Sequence, residues 1–327
     1  MIRLFLDANI LLDFFRFGAD DLIEVRKLLT LIEDDEVKLF SNQLLRDEVS
    51  RARDAEIAKS LEELRAQKFN LKAPNYCSDL EELTALKLAL KTANELHTDL
   101  LKALKAKISS KTIAADVLLA DLNDKASDID ITPELLELAQ RRQMFNNPPR
   151  KRKDSVGDSL HWEALMSTDS GVNFHIVSRD GDFGSDLEPE KIKDFLLDEW
   201  KRKFNAYASI TLHKSLSDFF RVKFPDIKLS ELAEKSSLIA QLQSSPNFAT
   251  THFLISKLNE FGTFTNGQVV RLFAALLENP QVSWIATDDD VQAFYQKLQP
   301  SAYVVPDASQ LELAEILDVQ SDFFLPF

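Results

Sequence analysis

Acidic side chains stand at four separate points of the chain, each beside a stretch expected to form a strand or to begin a helix. Several carboxylates held close together repel one another unless a cation lies among them. Oxygen ligands without sulfur suit Mg²⁺ or Mn²⁺, and such an ion can polarise a phosphoryl oxygen and supply hydroxide near neutral pH. These side chains could therefore support metal-dependent phosphoryl transfer to water; they are Asp7, the pair Asp47 and Glu48, Asp158, and the pair Asp180 and Asp182.

Short apolar runs predict the strands that would position these acids. Runs at 2–6, 37–40, 173–178 and 208–213 are separated by stretches with helical periodicity. Strands that alternate with helices indicate an α/β fold with a doubly wound parallel sheet. In such a sheet, ligands bind beyond the carboxyl ends of the strands, so acids that follow different strands are expected at the same edge.

The rest of the chain is predicted to be helical, and we expect two domains. Residues 1–225 would form the α/β domain, with a long helical insertion at about 50–145 in which Thr132 and Pro133 mark a helix start. Residues 226–327 would form a mostly helical domain with one strand candidate, VSWIA at 282–286. That segment has five Lys or Arg against thirteen Asp or Glu, so we expect it to contact a protein partner or a second protomer in a homodimer rather than nucleic acid.

Composition excludes several classes of protein. The formal net charge is -14, so the chain as a whole has no affinity for polyanions. The single cysteine, Cys77, excludes a disulfide framework and a cysteine-ligated metal site. No apolar stretch reaches the roughly 18 residues of a membrane span, and Asp7 and Asp13 interrupt the apolar N-terminus, unlike a signal peptide. We expect a soluble, cytoplasmic protein.

One basic segment stands out in this acidic chain. It brings six positive charges into thirteen residues just before Asp158, and two prolines stiffen it. Lys and Arg beside a carboxylate site are suited to the phosphate backbone of a nucleic acid. The predicted nucleic-acid-binding residues are Arg141, Arg142, Arg150, Lys151, Arg152 and Lys153.

Three segments together resemble the PIN-domain nucleases: FLDANIL, GDSLHWEAL and VSRDGDF. An acid on the helix after the second strand is part of the same resemblance. The basic segment before Asp158 resembles that of a subgroup of large bacterial PIN-like proteins with helical insertions. The resemblance implies an endonuclease that uses one or two Mg²⁺ or Mn²⁺ ions, with RNA favoured over DNA and toxin-like, RNA-processing or phage-defence roles. The implied catalytic and metal-binding acids are Asp7, Glu48, Asp158 and Asp180, with Asp182 as a further metal ligand and Asn9 and Ser178 as polar groups that hold a carboxylate or a metal-bound water.

Several alternatives remain open at this stage. Asp7 could simply cap a helix, Asp47 is adjacent to Glu48, and Asp180 and Asp182 compete for one role. A haloacid-dehalogenase-like phosphatase also has an Asp after its first strand, but its second acid would stand where this chain has Asn9. A PIN fold without activity, serving as a binding scaffold, is the third hypothesis. The five histidines show no metal-ligand spacing and are interpreted as ordinary.

Overall fold

The structure is a computed structural model of the chain, and it describes residues 1–16, 19–149, 156–169, 171–225 and 229–325. Five strands form one parallel sheet in the order β3-β2-β1-β4-β5. The predicted α/β fold is therefore confirmed. The strands are β1 (Ile2–Leu6), β2 (Val37–Ser41), β3 (Ser127–Asp128), β4 (Phe174–Val177) and β5 (Ile210–His213).

Helices connect these strands and form the insertion. Asn42 accepts a hydrogen bond from the Leu45 amide and caps the long helix after β2. Thr132 caps the helix that begins at Pro133, as the sequence predicts. The helices up to β5 are α1 (Ala8–Leu11), α2 (Ala19–Glu33), α3 (Gln43–Ala66), α4 (Glu81–Ser109), α5 (Ala114–Lys125), α6 (Pro133–Met144), α7 (Gly157–Met166) and α8 (Asp194–Lys203).

The second half of the central strand β1 is apolar and buried. Leu4, Phe5 and Leu6 of β1 are at most 1% exposed, because β1 lies between β2 and β4. The Asp7 amide, just past the end of β1, donates to the Val177 carbonyl at the end of β4, at 3.0 Å. The carboxyl ends of the two central strands are thus fixed side by side, which positions every side chain that follows them.

A buried ion pair joins α3 to α5 within the predicted helical insertion. Arg53 on α3 donates through Nε and Nη2 to the two carboxylate oxygens of Asp116 on α5, at 2.7 and 2.6 Å. Both side chains are about 8% exposed. No helix in the described ranges is both long and apolar enough to cross a membrane.

The chain divides into two compact units, one of residues 4–25 and 39–219, the other of residues 1–3, 26–38 and 220–327. The predicted domain division, 1–225 and 226–327, stays a proposal. The remaining helices begin with α9, which spans the boundary between the units; they are α9 (Leu216–Lys223), α10 (Leu229–Gln243), α11 (Phe248–Asn259), α12 (Asn266–Glu278), α13 (Pro280–Ser283), α14 (Asp289–Lys297) and α15 (Asp307–Leu317).

The strand predicted for VSWIA at 282–286 is wrong. Asn279 accepts a hydrogen bond from the Gln281 amide and Pro280 begins the short helix α13 there. Val282, Ile285 and Ala286 are buried in a cluster built from the surrounding helices. A short apolar run fits a buried helix and a buried strand equally well, and the Asn-Pro pair before it is the signal that favours a helix.

Candidate active site

Asp7 lies just beyond the end of β1, and its carboxylate is held by three donors. Oδ2 accepts hydrogen bonds from Ser178 Oγ at 2.6 Å and from Asn9 Nδ2 at 2.7 Å, while Oδ1 accepts from the Ala8 amide at 2.7 Å. The side chain therefore caps α1. Ser178 also accepts from the Asp180 amide at 3.2 Å, which ties the segment after β4 to the same carboxylate.

Burial disfavours a charge on Asp7. The residue is 6% exposed, and this desolvation raises the pKa of its carboxyl above the ordinary aspartate value. The hydrogen bond from Ser178 opposes the shift, whereas the charge of Asp180 adds to it. A helix cap does not need this arrangement, because exposed caps serve equally well. An acid held buried beside a second acid is instead the pattern common at functional sites.

The raised pKa predicts how the stability of the metal-free protein depends on pH. Below the ordinary value of 3.8, Asp7 is protonated in both the folded and the unfolded chain and contributes nothing. As the pH rises above 3.8, the unfolded chain loses this proton first, so the free energy of unfolding falls until the higher folded pKa is passed, and the loss then stays constant.

Denaturant titrations with chelator, at a series of pH values, measure this effect as the difference between wild type and Asp7→Asn. We expect the variant to gain stability relative to wild type as the pH increases through this window. A difference between the two proteins that does not change with pH would show that the fold does not disfavour the Asp7 charge.

Asp158 and Glu48 stand on two helices that His161 connects. Asp158 stands in the first turn of α7 and is 9% exposed. Three residues later on that helix, on the same face, His161 lies 2% exposed against the Phe5 ring, with ring centroids 5.5 Å apart. Glu48 on α3 approaches His161 Nε2 through Oε2 at 3.2 Å, so His161 links the two helices that bear these acids.

The hydrogen bonds around His161 assign its tautomer. Asn42 Oδ1 accepts from the Leu45 amide, so Asn42 Nδ2 is the donor that faces His161 Nδ1 at 3.2 Å. Nδ1 must then accept, and the ring proton lies on Nε2, which donates to Glu48. Asn42 and His161 thus fix the direction of the Glu48 carboxylate. Sequence reasoning missed His161, although its spacing of three residues from Asp158 was the available signal.

Within each of the two pairs that the sequence left open, Asp47 or Glu48 and Asp180 or Asp182, the two acids have different surroundings. Asp47, next to Glu48, is exposed and accepts from Gln43 Nε2 at 2.8 Å on its own helix. Asp180 is close enough to Asp7 to raise its pKa. Asp182 lines a cavity of about 530 Å³ together with Asp186 and Lys193. These placements favour Glu48 over Asp47 and Asp180 over Asp182 as members of the group around Asp7.

Of the six predicted basic contacts, two fall on described residues. Arg141 is exposed and lies over the Phe145 ring. Arg142 is 5% exposed and donates to Glu163, Glu199 and the Pro148 carbonyl at 2.6 to 2.7 Å. These contacts occupy its guanidinium, so Arg142 has a structural role beneath the basic segment and is not placed to contact nucleic acid. The other four, Arg150, Lys151, Arg152 and Lys153, lie outside the described residues.

The candidate acids Asp7, Glu48, Asp158 and Asp180 suit a hard divalent cation in chemical type. All are oxygen donors, as Mg²⁺ and Mn²⁺ prefer, and they come from the ends of β1 and β4 and from α3 and α7. Within the described residues, no three His, Cys, Asp or Glu side chains form a ready-made metal cluster. Carboxylates repel one another at short range, and a bound cation would favour their closer approach. The residues therefore fit such an ion by the chemical type of their donor atoms.

Comparison with known protein families identifies the fold. The family model described as PIN domain matches residues 4–183, more than half of the chain. The chain belongs to the PIN-domain family. The matched PIN segment includes Asp7, Glu48, Asp158, Asp180 and Asp182, together with His161 and Asn42. Comparison with curated proteins and with solved structures gives no match.

Membership of the PIN family supports a metal-dependent nuclease in general. It favours this reading over the phosphatase alternative, whose second acid is replaced here by Asn9. In this PIN domain Asn9 instead donates a hydrogen bond to Asp7 at 2.7 Å. An ionised carboxylate in that position could not donate this bond. Residues 184–327 lie beyond the matched segment.

Proposed function

We propose that the protein is an endonuclease that hydrolyses RNA with one or two Mg²⁺ or Mn²⁺ ions. Asp7, Glu48, Asp158 and Asp180 would hold the ion, with Asp182 as a further ligand. The observation that carries the proposal is the PIN-family match over a segment in which Asp7 is buried and oriented by three donors. Such an orientation is needed where a carboxylate must keep one position through a reaction.

The chain's own residues have separable parts in this mechanism. Ser178 and Asn9 hold one oxygen of Asp7 from the side of β4 and α1. His161 orients Glu48 through Nε2. A bound ion would polarise a phosphoryl oxygen and lower the pKa of a water molecule that attacks the phosphodiester. Hydrolysis by water leaves linear phosphate ends, because the ribose hydroxyl takes no part.

Contacts to the substrate are proposed to come mainly from the phosphate backbone. Arg141 lies in the last turn of α6, and the segment Arg150 to Lys153 follows that helix and precedes Asp158 in the chain, so substrate bound at Asp158 would pass near them. We further propose that residues 226–327 contact a protein partner or a second copy of the chain. The exposed side chains of Trp284 and Phe253, 71% and 59% accessible, agree with that role.

A direct assay tests the proposed activity. Purified protein is incubated with single-stranded RNA, duplex RNA and single-stranded DNA, each with Mg²⁺, with Mn²⁺ or with chelator. We expect internal cleavage of RNA with either ion and none with chelator, and slower or no cleavage of DNA. Cleavage of DNA in preference to RNA would contradict the proposed substrate.

Binding of RNA without cleavage under every metal condition would instead support the inactive-scaffold alternative. Hydrolysis of small phosphomonoesters through an aspartyl-phosphate intermediate would revive the phosphatase reading. These outcomes differ in product as well as rate, so each is recognisable in the same set of reactions.

A further inference from the structure

A cavity of about 280 Å³ opens beside the candidate active site, among residues that follow three neighbouring strands. Ile10 and Asp13 follow β1, Arg179 follows β4, and Lys214 is the first residue after β5. This is the edge of the sheet at which α/β proteins bind ligands. The cavity lies towards β5, whereas Glu48 stands on α3, the helix that follows β2.

The lining of this cavity is rich in positive charge. It includes Arg16, Arg179 and Lys214, and Asp13 is the one carboxylate among its described lining residues. Asp13 Oδ1 is shared by the two guanidiniums, at 2.8 Å from Arg16 and 2.5 Å from Arg179. Glu56, outside the cavity, also binds Arg16, but it is itself shared with Lys59.

Lys214 contributes a charge that this network does not neutralise. Within the described parts of the chain, no carboxylate lies within ion-pair distance of its ammonium. The ammonium is close to Gly184, where an added Cβ would lie 3.3 Å from Nζ, so it sits beside the loop that follows β4. A partly buried lysine without an acidic partner, in a chain of net charge -14, is suited to an anionic ligand.

Asn9 joins this cavity to Asp7. The Arg179 amide donates to Asn9 Oδ1 at 3.2 Å, and Arg179 Nη2 donates to the Asn9 carbonyl at 3.0 Å. The opposite end of the same amide side chain, Nδ2, donates to Asp7. One residue, Asn9, therefore separates the cationic cavity from the proposed catalytic carboxylate and makes hydrogen bonds to both sides.

We propose that this cavity binds a backbone phosphate of the substrate strand next to the phosphodiester that is cleaved at Asp7. Lys214 contacts the phosphate as a point charge, and Arg179, held by Asn9 and Asp13, forms the wall towards the catalytic edge. The inference rests on the proposed nuclease function. It adds a subsite on the β5 side that no basic motif in the sequence indicates, because its cations are far apart in the chain.

The test measures RNA binding without cleavage. Lys214→Ala and Lys214→Arg are made in the Asp7→Asn background, and the affinity for a short fluorescent single-stranded RNA is measured by anisotropy over a range of salt concentrations. Lys191→Ala is the matched control, since Lys191 is exposed and paired with Glu188. A lost phosphate contact is expected to weaken binding equally for different base sequences and to reduce the salt slope by about 0.7.

Lys214→Arg, which keeps the charge, is expected to retain most of the affinity, and Lys191→Ala all of it. In the parent with Asp7 intact, Lys214→Ala should raise KM and leave kcat within about twofold, as loss of uniform binding does. Affinity and salt slope unchanged in Lys214→Ala would overturn the subsite. If the wild type cleaves RNA and Lys214→Ala binds RNA normally, only the subsite proposal fails. If Lys214→Ala loses affinity for RNA but the wild type does not cleave it, the subsite stands and the nuclease proposal fails.

Discussion

Replacing Asp7 with Asn is expected to lower the rate of RNA cleavage by at least about 10²-fold, as removal of a main charge-stabilising group does. Asn has nearly the same size and still accepts from the Ala8 amide, so the cap of α1 is kept. What is lost is the negative charge that would hold the cation, together with the oxygen that accepts from Ser178 and Asn9. Single-turnover cleavage at saturating Mg²⁺ measures the effect on chemistry apart from binding.

Asp47→Asn is the matched control for this change. It makes the same chemical substitution on an exposed acid that contacts Gln43 on its own helix, so the cleavage rate should stay within about twofold, as surface changes away from a site usually leave function intact. Cleavage by Asp7→Asn at the rate of Asp47→Asn would remove Asp7 from the mechanism. The thermal unfolding of both variants shows whether any loss comes from the fold.

Replacing His161 with Phe is expected to lower activity and metal affinity by about 10- to 100-fold, the range typical of residues that orient a metal ligand. Phe keeps the ring packed against Phe5 but removes both hydrogen bonds, to Glu48 and to Asn42. His161→Gln can still place an amide N–H near Glu48 and should recover part of the loss. Isothermal titration with Mn²⁺ provides a readout independent of cleavage.

A double-mutant cycle separates positioning from packing. If His161 acts through Glu48, then His161→Phe combined with Glu48→Gln should cost no more than the larger single effect. His175→Phe is the control, because His175 is also buried and bonded, in its case to His213 and Asn173, and its loss should lower stability without changing Mn²⁺ affinity. Additive effects of His161→Phe and Glu48→Gln would show that the two residues act independently.

The sheet, and the proximity of the segments that follow β1 and β4, could be predicted because they depend on local patterns. The apolar run of β1 ends at an acid, and the run of β4 ends at Ser178, so sheet topology alone brings the two segments together. The start of α6 at Thr132 and Pro133 is equally local. By contrast, VSWIA contains no periodicity long enough to separate a helix from a strand, and only tertiary packing decides it.

The remaining features depend on contacts between distant parts of the chain. The partners of His161, which are Asn42 and Glu48, lie more than a hundred residues away from it in the chain. Arg142 carries the same charge as its neighbour Arg141, yet Glu163 and Glu199 bury it. The cationic cavity is assembled from residues after β1, β4 and β5. Composition and motif spacing hold no record of such pairings, so only the folded chain reveals them.

The central claim, metal-dependent hydrolysis of RNA by water at the edge around Asp7, is tested most directly by the chemistry of the product ends. Single-stranded RNA is cleaved in water enriched in heavy oxygen, with Mg²⁺ or with chelator, and the fragments are analysed by mass spectrometry. We predict linear phosphate ends that carry one labelled oxygen, formed only when the ion is present and lost in Asp7→Asn. Cyclic phosphate ends, or cleavage that persists with chelator, would contradict the account.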